Sequence, residues 1–364
     1  MIRTLAVFII SLGVFTMSPA TAQVWLHPSC SPLPTKVGGP FVMMEGDVLL
    51  TVQGNATRTS KDGGKTWSEP HPMYDGPAPG IPQTSPCLLK TAAGTLVLVY
   101  MDLHDYYFRW DAATDKLEAE LDVWAIRSLD GGKTWVDRQR LLDGYCGSLQ
   151  NIIQTTAGNI VVPVQDALRD PVRHAMYVYS SADEGKTWTR SNLVDLGGRG
   201  DHDGAMEATV EELTDSRLMM LIRTNLDRFW QAFSTDDGRY WREWRPSKID
   251  ASTSPGYLKR LASGRLMLVW NRLYPEGLAE ADQAGYPRRG GGRLSVPKAS
   301  WQRDELSCAF SADDGKTWSK PVVIARLRNG NLSYPYVFER RPGELWITAG
   351  KARLVGQEKA LLQP

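Results

Sequence analysis

The chain has 364 residues, a formal net charge of +1, 33 glycines, 22 prolines and 13 tryptophans, but only four cysteines. Balanced charge excludes a global basic field for nucleic acid and an acidic tail, so a charged ligand must be met locally. The length exceeds the usual domain, yet no linker divides it, and ring-shaped β folds run this long as one body.

The first 22 residues read as a cleaved secretory signal. Arg3 supplies a positive start, Leu5 to Met17 is apolar, and Ala20-Thr21-Ala22 places small residues before Gln23. The apolar run is shorter than the ~20 residues a spanning helix needs, so no membrane span is expected. The mature chain, 23–364, is then expected outside the cytoplasm, secreted or periplasmic. Cys30, Cys87, Cys146 and Cys308 lie far apart without metal-type spacing, which leaves buried thiols and bridges both open.

One eight-residue phrase recurs five times: SKDGGKTW from Ser60, SLDGGKTW from Ser128, SADEGKTW from Ser181, STDDGRYW from Ser234 and SADDGKTW from Ser311. An Asp able to bond nearby backbone N–H groups, a Gly for positive φ and a Trp to cover the turn make each copy a hairpin turn. The phosphate-loop reading fails because the upstream glycine is missing. The calcium-loop reading fails because alternating acids and a distal Glu are missing. Between the phrases lie short apolar strands, predicted at Thr95–Tyr100, Ile160–Val164, Met176–Tyr179, Leu218–Ile222, Leu266–Trp270 and Leu345–Thr348. Many short strands with one motif per unit predict an all-β, six-bladed β-propeller over 23–364, closed by Asn331 to Leu362 and an N-terminal strand.

Chemistry-bearing residues gather in the second half. In Gly198 to Arg223 a predicted hairpin places Glu207, at the start of one strand, beside Arg223, at the end of the next. The carboxylate can take a proton and the guanidinium can grip an anion in a bidentate fork; a surface ion pair is the alternative. Asp201-His202-Asp203 combines an imidazole with two carboxylates able to fix its tautomer, which suits acid/base work, a solvated loop or a metal ligand. His104, His174 and His202 are expected in loops facing the ring centre. Arg272 and Trp230 are further rim candidates, and the Gly- and Arg-rich insert Tyr274 to Ser300 is expected as a loop over one face.

The phrases resemble the Asp boxes of the sialidase (neuraminidase) superfamily, and the spacing of strands and boxes is similar to that family over essentially the whole mature chain. The resemblance implies that Glu207 and Arg223 hold the family's Glu and Arg places. It further implies that Arg303, eight residues before Ser311, belongs to a carboxylate-binding triad and that Tyr334 in Ser333-Tyr334-Pro335-Tyr336 is the nucleophile. Tyr334 and Tyr336 are not separated by the pattern. The chain departs from the family in having Gly38 where the family has an Arg, and Ser85 where the family has an Asp just before a proline. His202 with Asp203 is the candidate replacement acid, and Asp102, His104 and Asp105 are other proton sources near in sequence. By resemblance the protein is expected to be a secreted exo-α-sialidase-type glycosidase acting on an acidic glycan through Glu207, Tyr334, Arg223 and Arg303, with the rim residue Arg272 as a further substrate-binding candidate. No cofactor, metal or nucleic-acid partner is expected. An Asp-box enzyme for another acidic glycan and a non-catalytic glycan-binding propeller are the alternatives.

Overall fold

The computed structural model describes residues 23–73, 86–289 and 298–362. Six antiparallel sheets follow one another along the chain as blades 1 to 6, and each runs outward in sequence order. Their second strands begin at Leu49, Leu96, Ile160, Leu218, Leu266 and Glu344. Blades 5 and 6 are completed by the N-terminal segment, which adds Trp25–Leu26 beside Val322–Arg326 and Cys30–Pro32 beside Ala352–Gln357. The two ends of the described chain thereby lock into neighbouring blades.

All five phrases form the same turn. In the third copy Gly185 N–H donates to Ser181 Oγ at 2.9 Å, while Thr187 N–H and Oγ1 donate to the Asp183 carboxylate at 2.8 and 2.6 Å. The fifth-position glycines sit at φ between +78° and +90°, and each faces the preceding blade. A Cβ on Gly132 would lie 3.0 Å from Leu50 of blade 1, and one on Gly64 would lie 3.0 Å from Trp346 of blade 6. The phrase is therefore the seam between blades as well as a turn. Blade 6 lacks it, and the helical turn Glu358–Leu362 takes its place: Glu358 binds Ser263 and Arg265 of blade 5 while Leu361 is buried.

The sequence understates one hairpin. Blade 3 pairs Ile160–Arg169 with Val172–Ser181 along ten residues each, so His174 lies in a strand and is buried, not in a loop. Polar Gln165, Asp166 and Arg173 hide the alternation, but the ladder continues to the turn at Asp170-Pro171. The insert after Tyr274 holds the short helix Glu280–Gln283, and Arg288–Arg289 pairs with Ala299–Ser300. Its Gly290 to Arg293 stretch lies outside the described residues, as do residues 1–22 and Ser85.

Candidate active site

Glu207 stands at a bulge. Met206 pairs with Arg223, but the register then slips before Thr209, and Glu207 takes φ +37°, in the left-handed region. A bulge re-aims a side chain, and here it turns Glu207 to the face that Arg223 occupies. Arg223 Nη1 donates to Glu207 Oε2 at 2.5 Å, with side-chain exposures of 3 % and 7 %. A surface ion pair is thus excluded; this pair is inside the protein. Thr253 Oγ1 accepts from Arg223 Nε and Nη2 at 3.2 and 3.1 Å.

Tyr334, at φ +57° just before the first strand of blade 6, donates its hydroxyl to Glu207 Oε1 at 2.9 Å. Tyr336 points elsewhere: its hydroxyl accepts from the Phe41 N–H at 2.8 Å. The left-handed residue breaks the two-residue alternation that would have put both rings on one face. Arg303 completes the group. Its Nη2 donates to Thr253 O at 2.7 Å, its guanidinium lies 4.0 Å above the Trp301 ring and 5.9 Å from the Tyr334 ring, and its buried Nε has no partner among the described residues. Arg289 also approaches the Trp301 ring, at 5.4 Å.

The charges set one another. Burial pushes Glu207 up, but the charge and hydrogen bond of Arg223, the Tyr334 hydroxyl and Arg303 together outweigh it and hold the carboxyl below its ordinary range. Burial, then the Glu207 charge, push Tyr334 up to about 12. Burial, then repulsion from Arg223, bring Arg303 down to about 10. At rest the proton therefore sits on the phenol and the negative charge on Glu207. Two guanidinium groups around one carboxylate leave the cluster cationic.

The remaining candidates divide. His202 stands in the loop ahead of Glu207, its ring partly exposed and 6.3 Å from the His174 ring, with Nδ1 3.5 Å from Asp201 Oδ2 and its carbonyl held by Asn225. Asp203 does not orient this imidazole; its carboxylate accepts from the backbone N–H of Arg199 and Gly204 at 3.1 and 2.9 Å and so ties the loop. Arg272 points to Asp250, 4.0 Å away, with no contact to the Glu207 cluster. At Gly38 the position a Cβ would take lies 3.3 Å from Arg353 Nη1, so a guanidinium from the third strand of blade 6 stands against the glycine. Asp102 is bound to Arg138 at 2.8 Å. Sequence reasoning missed Gln165, Thr253, Trp301 and Arg353, since none lies in a repeat or motif.

A depression of about 300 Å³ opens beside Tyr334, bordered by Gly38, Pro40, Gln150, Tyr336 and Thr348. A larger axial cavity of about 500 Å³ lies beyond Tyr336, among the first strands of the blades, and none of Glu207, Arg223, Arg303 and Tyr334 lines it. Of the four, Tyr334 alone lines the smaller opening, and Glu207, Arg223 and Arg303 stand behind it. Among the described residues no group of three or more His, Cys, Asp and Glu could hold a metal, and no helix is long and apolar enough to cross a membrane.

This ring of six sheets around a Tyr–Glu–Arg cluster has the β-propeller fold that sialidases share. Residues 47–347 match the BNR repeat-like domain, and the chain belongs to that family. A sialidase of Paraclostridium sordellii is 29% identical over 163 residues, a match spanning 40% of this chain and 39% of that relative. A Hadza microbial sialidase superposes with a TM-score of 0.60 at 17% identity, covering 88% of this chain and 65% of that one. A Dyadobacter fermentans protein of unknown function gives 0.60 at 16% identity, covering 91% and 100%.

Proposed function

We propose that the protein is an exo-α-sialidase-type glycoside hydrolase that removes a terminal acidic sugar from a glycan or glycoconjugate, with Tyr334 as nucleophile and Glu207 as its base. The observation that carries the reading is the Tyr334 hydroxyl bonded to Glu207 Oε1 while Arg223 holds Oε2. A buried phenol is too weakly acidic to ionise alone, but a carboxylate at hydrogen-bond distance accepts its proton as the oxygen attacks the anomeric carbon. A neutral nucleophile also escapes the repulsion a carboxylate would feel from an anionic sugar. The sugar carboxylate takes Nε of Arg303, which has no partner among the described residues, with the charge of Arg223 behind it.

In the first step the glycosidic C–O bond breaks as the Tyr334 O–C bond forms; Glu207 receives the phenolic proton and the leaving oxygen is protonated. His202, partly open to solvent with Asp201 behind it, is the group we assign to that protonation. Water then attacks the sugar–tyrosine bond, gives its proton to the imidazole, and Glu207 returns the phenolic proton. The protein acts outside the cytoplasm in this reading, secreted or periplasmic, on the basis of its first 22 residues.

Release of methylumbelliferone from its α-sialoside tests the reading. Turnover supports it; an inactive protein that cleaves other acidic polysaccharides favours the second reading, to which the Gly38–Arg353 arrangement lends weight. Saturable binding without turnover of either would leave a glycan-binding propeller.

A further inference from the structure

The bulge that aims Glu207 also removes its backbone N–H from the sheet ladder, and the partner it finds is a side chain of the neighbouring blade. Glu207 N–H donates to Gln165 Oε1 at 3.0 Å. Gln165 Nε2 lies 2.9 Å from His174 Nδ1, and His174 Nε2 lies 2.7 Å from the Asp201 carbonyl. Both ends of this chain have fixed roles. The backbone N–H at Glu207 can only donate, so Gln165 must present oxygen to it and turn its NH₂ to the imidazole. The Asp201 carbonyl can only accept, so the imidazole hydrogen is on Nε2 and Nδ1 receives the Gln165 proton. No member can flip without breaking two bonds.

Gln165 is 2 % exposed, His174 4 % and Asp201 4 %, so water does not compete for these bonds. Burial brings the imidazole down to about 4, which keeps Nδ1 free to accept. Gly147 closes the side of the amide: a Cβ there would lie 3.0 Å from Gln165 Nε2. The backbone of His174 grips the same loop, taking the Ala205 N–H at 2.9 Å and giving its own N–H to Asp203 O at 2.7 Å. A left-handed glutamate persists only where its surroundings over-determine it.

Resting on the functional reading above, we propose that Gln165 and His174 are positioning residues for the reaction: their hydrogen-bond chain holds Glu207 in its left-handed conformation and so sets the carboxylate against Tyr334. Neither touches the substrate or the reacting atoms.

The test compares Gln165→Met, which matches length but offers the Glu207 N–H no oxygen, with Gln165→Glu, which keeps the acceptor and, protonated by its burial, donates its O–H to His174 Nδ1. With the fluorogenic sialoside, Gln165→Met is expected to lose on the order of 10- to 100-fold in kcat with KM within about threefold, because misplacement acts on the chemical step. Gln165→Glu is expected to stay within about threefold of the unchanged protein. Should Gln165→Met not fold, His174→Leu, which frees the amide to rotate, is expected to lose on the order of tenfold in kcat. A breaking variant that keeps its kcat, or a Gln165→Glu variant that falls as far as Gln165→Met, overturns the proposal. If the unchanged protein does not turn over the sialoside, the functional reading fails separately and a crystal structure of Gln165→Met decides. Withdrawal of the Glu207 carboxylate from Tyr334 supports the chain, and an unmoved Glu207 refutes it.

Discussion

Glu207→Gln separates the base from the ion pair. The substitution removes the negative charge that Arg223 meets at 2.5 Å inside the protein. Charge centres about 4 Å apart interact by roughly 4 kcal/mol at an effective dielectric near 20, and stranding a buried charge commonly costs about 3–5 kcal/mol. The cost here is smaller, because the new amide oxygen still accepts from Nη1 and Thr253 Oγ1 still accepts from Nε and Nη2. A loss of about 2–3 kcal/mol in urea unfolding is expected, which a six-bladed ring tolerates. Turnover behaves differently. Without a carboxylate the phenol, pushed up to about 12, keeps its proton, and kcat falls by about 10²–10⁴ while binding of the acidic sugar holds or tightens. Fluorogenic hydrolysis, equilibrium unfolding and calorimetric binding of the free sugar measure the three quantities. A variant within twofold of the unchanged kcat would refute the role of Glu207, and a loss of affinity matching the loss of turnover would make it a binding residue.

Other consequences are as direct. His174 has its ordinary value of 6.5 in the unfolded chain and about 4 when folded, so only the unfolded state takes up its proton between them; stability is full above pH 6.5 and falls by about 3 kcal/mol as pH drops to 4, read by urea midpoints across that range. Arg303→Lys loses the forked geometry over Trp301 and is expected to raise KM at least about tenfold with a smaller change in kcat; an unchanged KM would remove Arg303 from the sugar contact. Ser181→Ala deletes the bond that Gly185 N–H makes and is expected to lower unfolding free energy by about 1 kcal/mol without altering kcat.

The architecture was legible because it repeats. Each phrase carries its own turn chemistry, and the side of the glycine that must stay bare is the side that meets the previous blade. Glu207 and Arg223 were legible as the two ends of one hairpin, Arg303 and Tyr334 only through the resemblance to sialidases, and the four converge on one cluster. What the sequence hid is contact between blades. Gln165 reaches Glu207 across 42 positions and Thr253 reaches Arg223 across 30, and no local pattern encodes such pairings. His174 was misplaced for the same reason: polar residues in a buried strand look like a loop until their partners are known. Asp203, adjacent to His202 in sequence, turned to the backbone because the tight loop around Gly204 needs an acceptor more than the imidazole does.

The mechanism stands on Tyr334 forming a bond to the sugar. Incubation with a fluorinated sialosyl fluoride, whose glycosyl–enzyme bond hydrolyses slowly, followed by peptide mass spectrometry, reads this directly. One sugar added to the peptide from Asn329 to Arg340, with fragments placing it on Tyr334 and not Tyr336, is the expected result. Turnover of the sialoside with no adduct, or an adduct on any other residue, would contradict it.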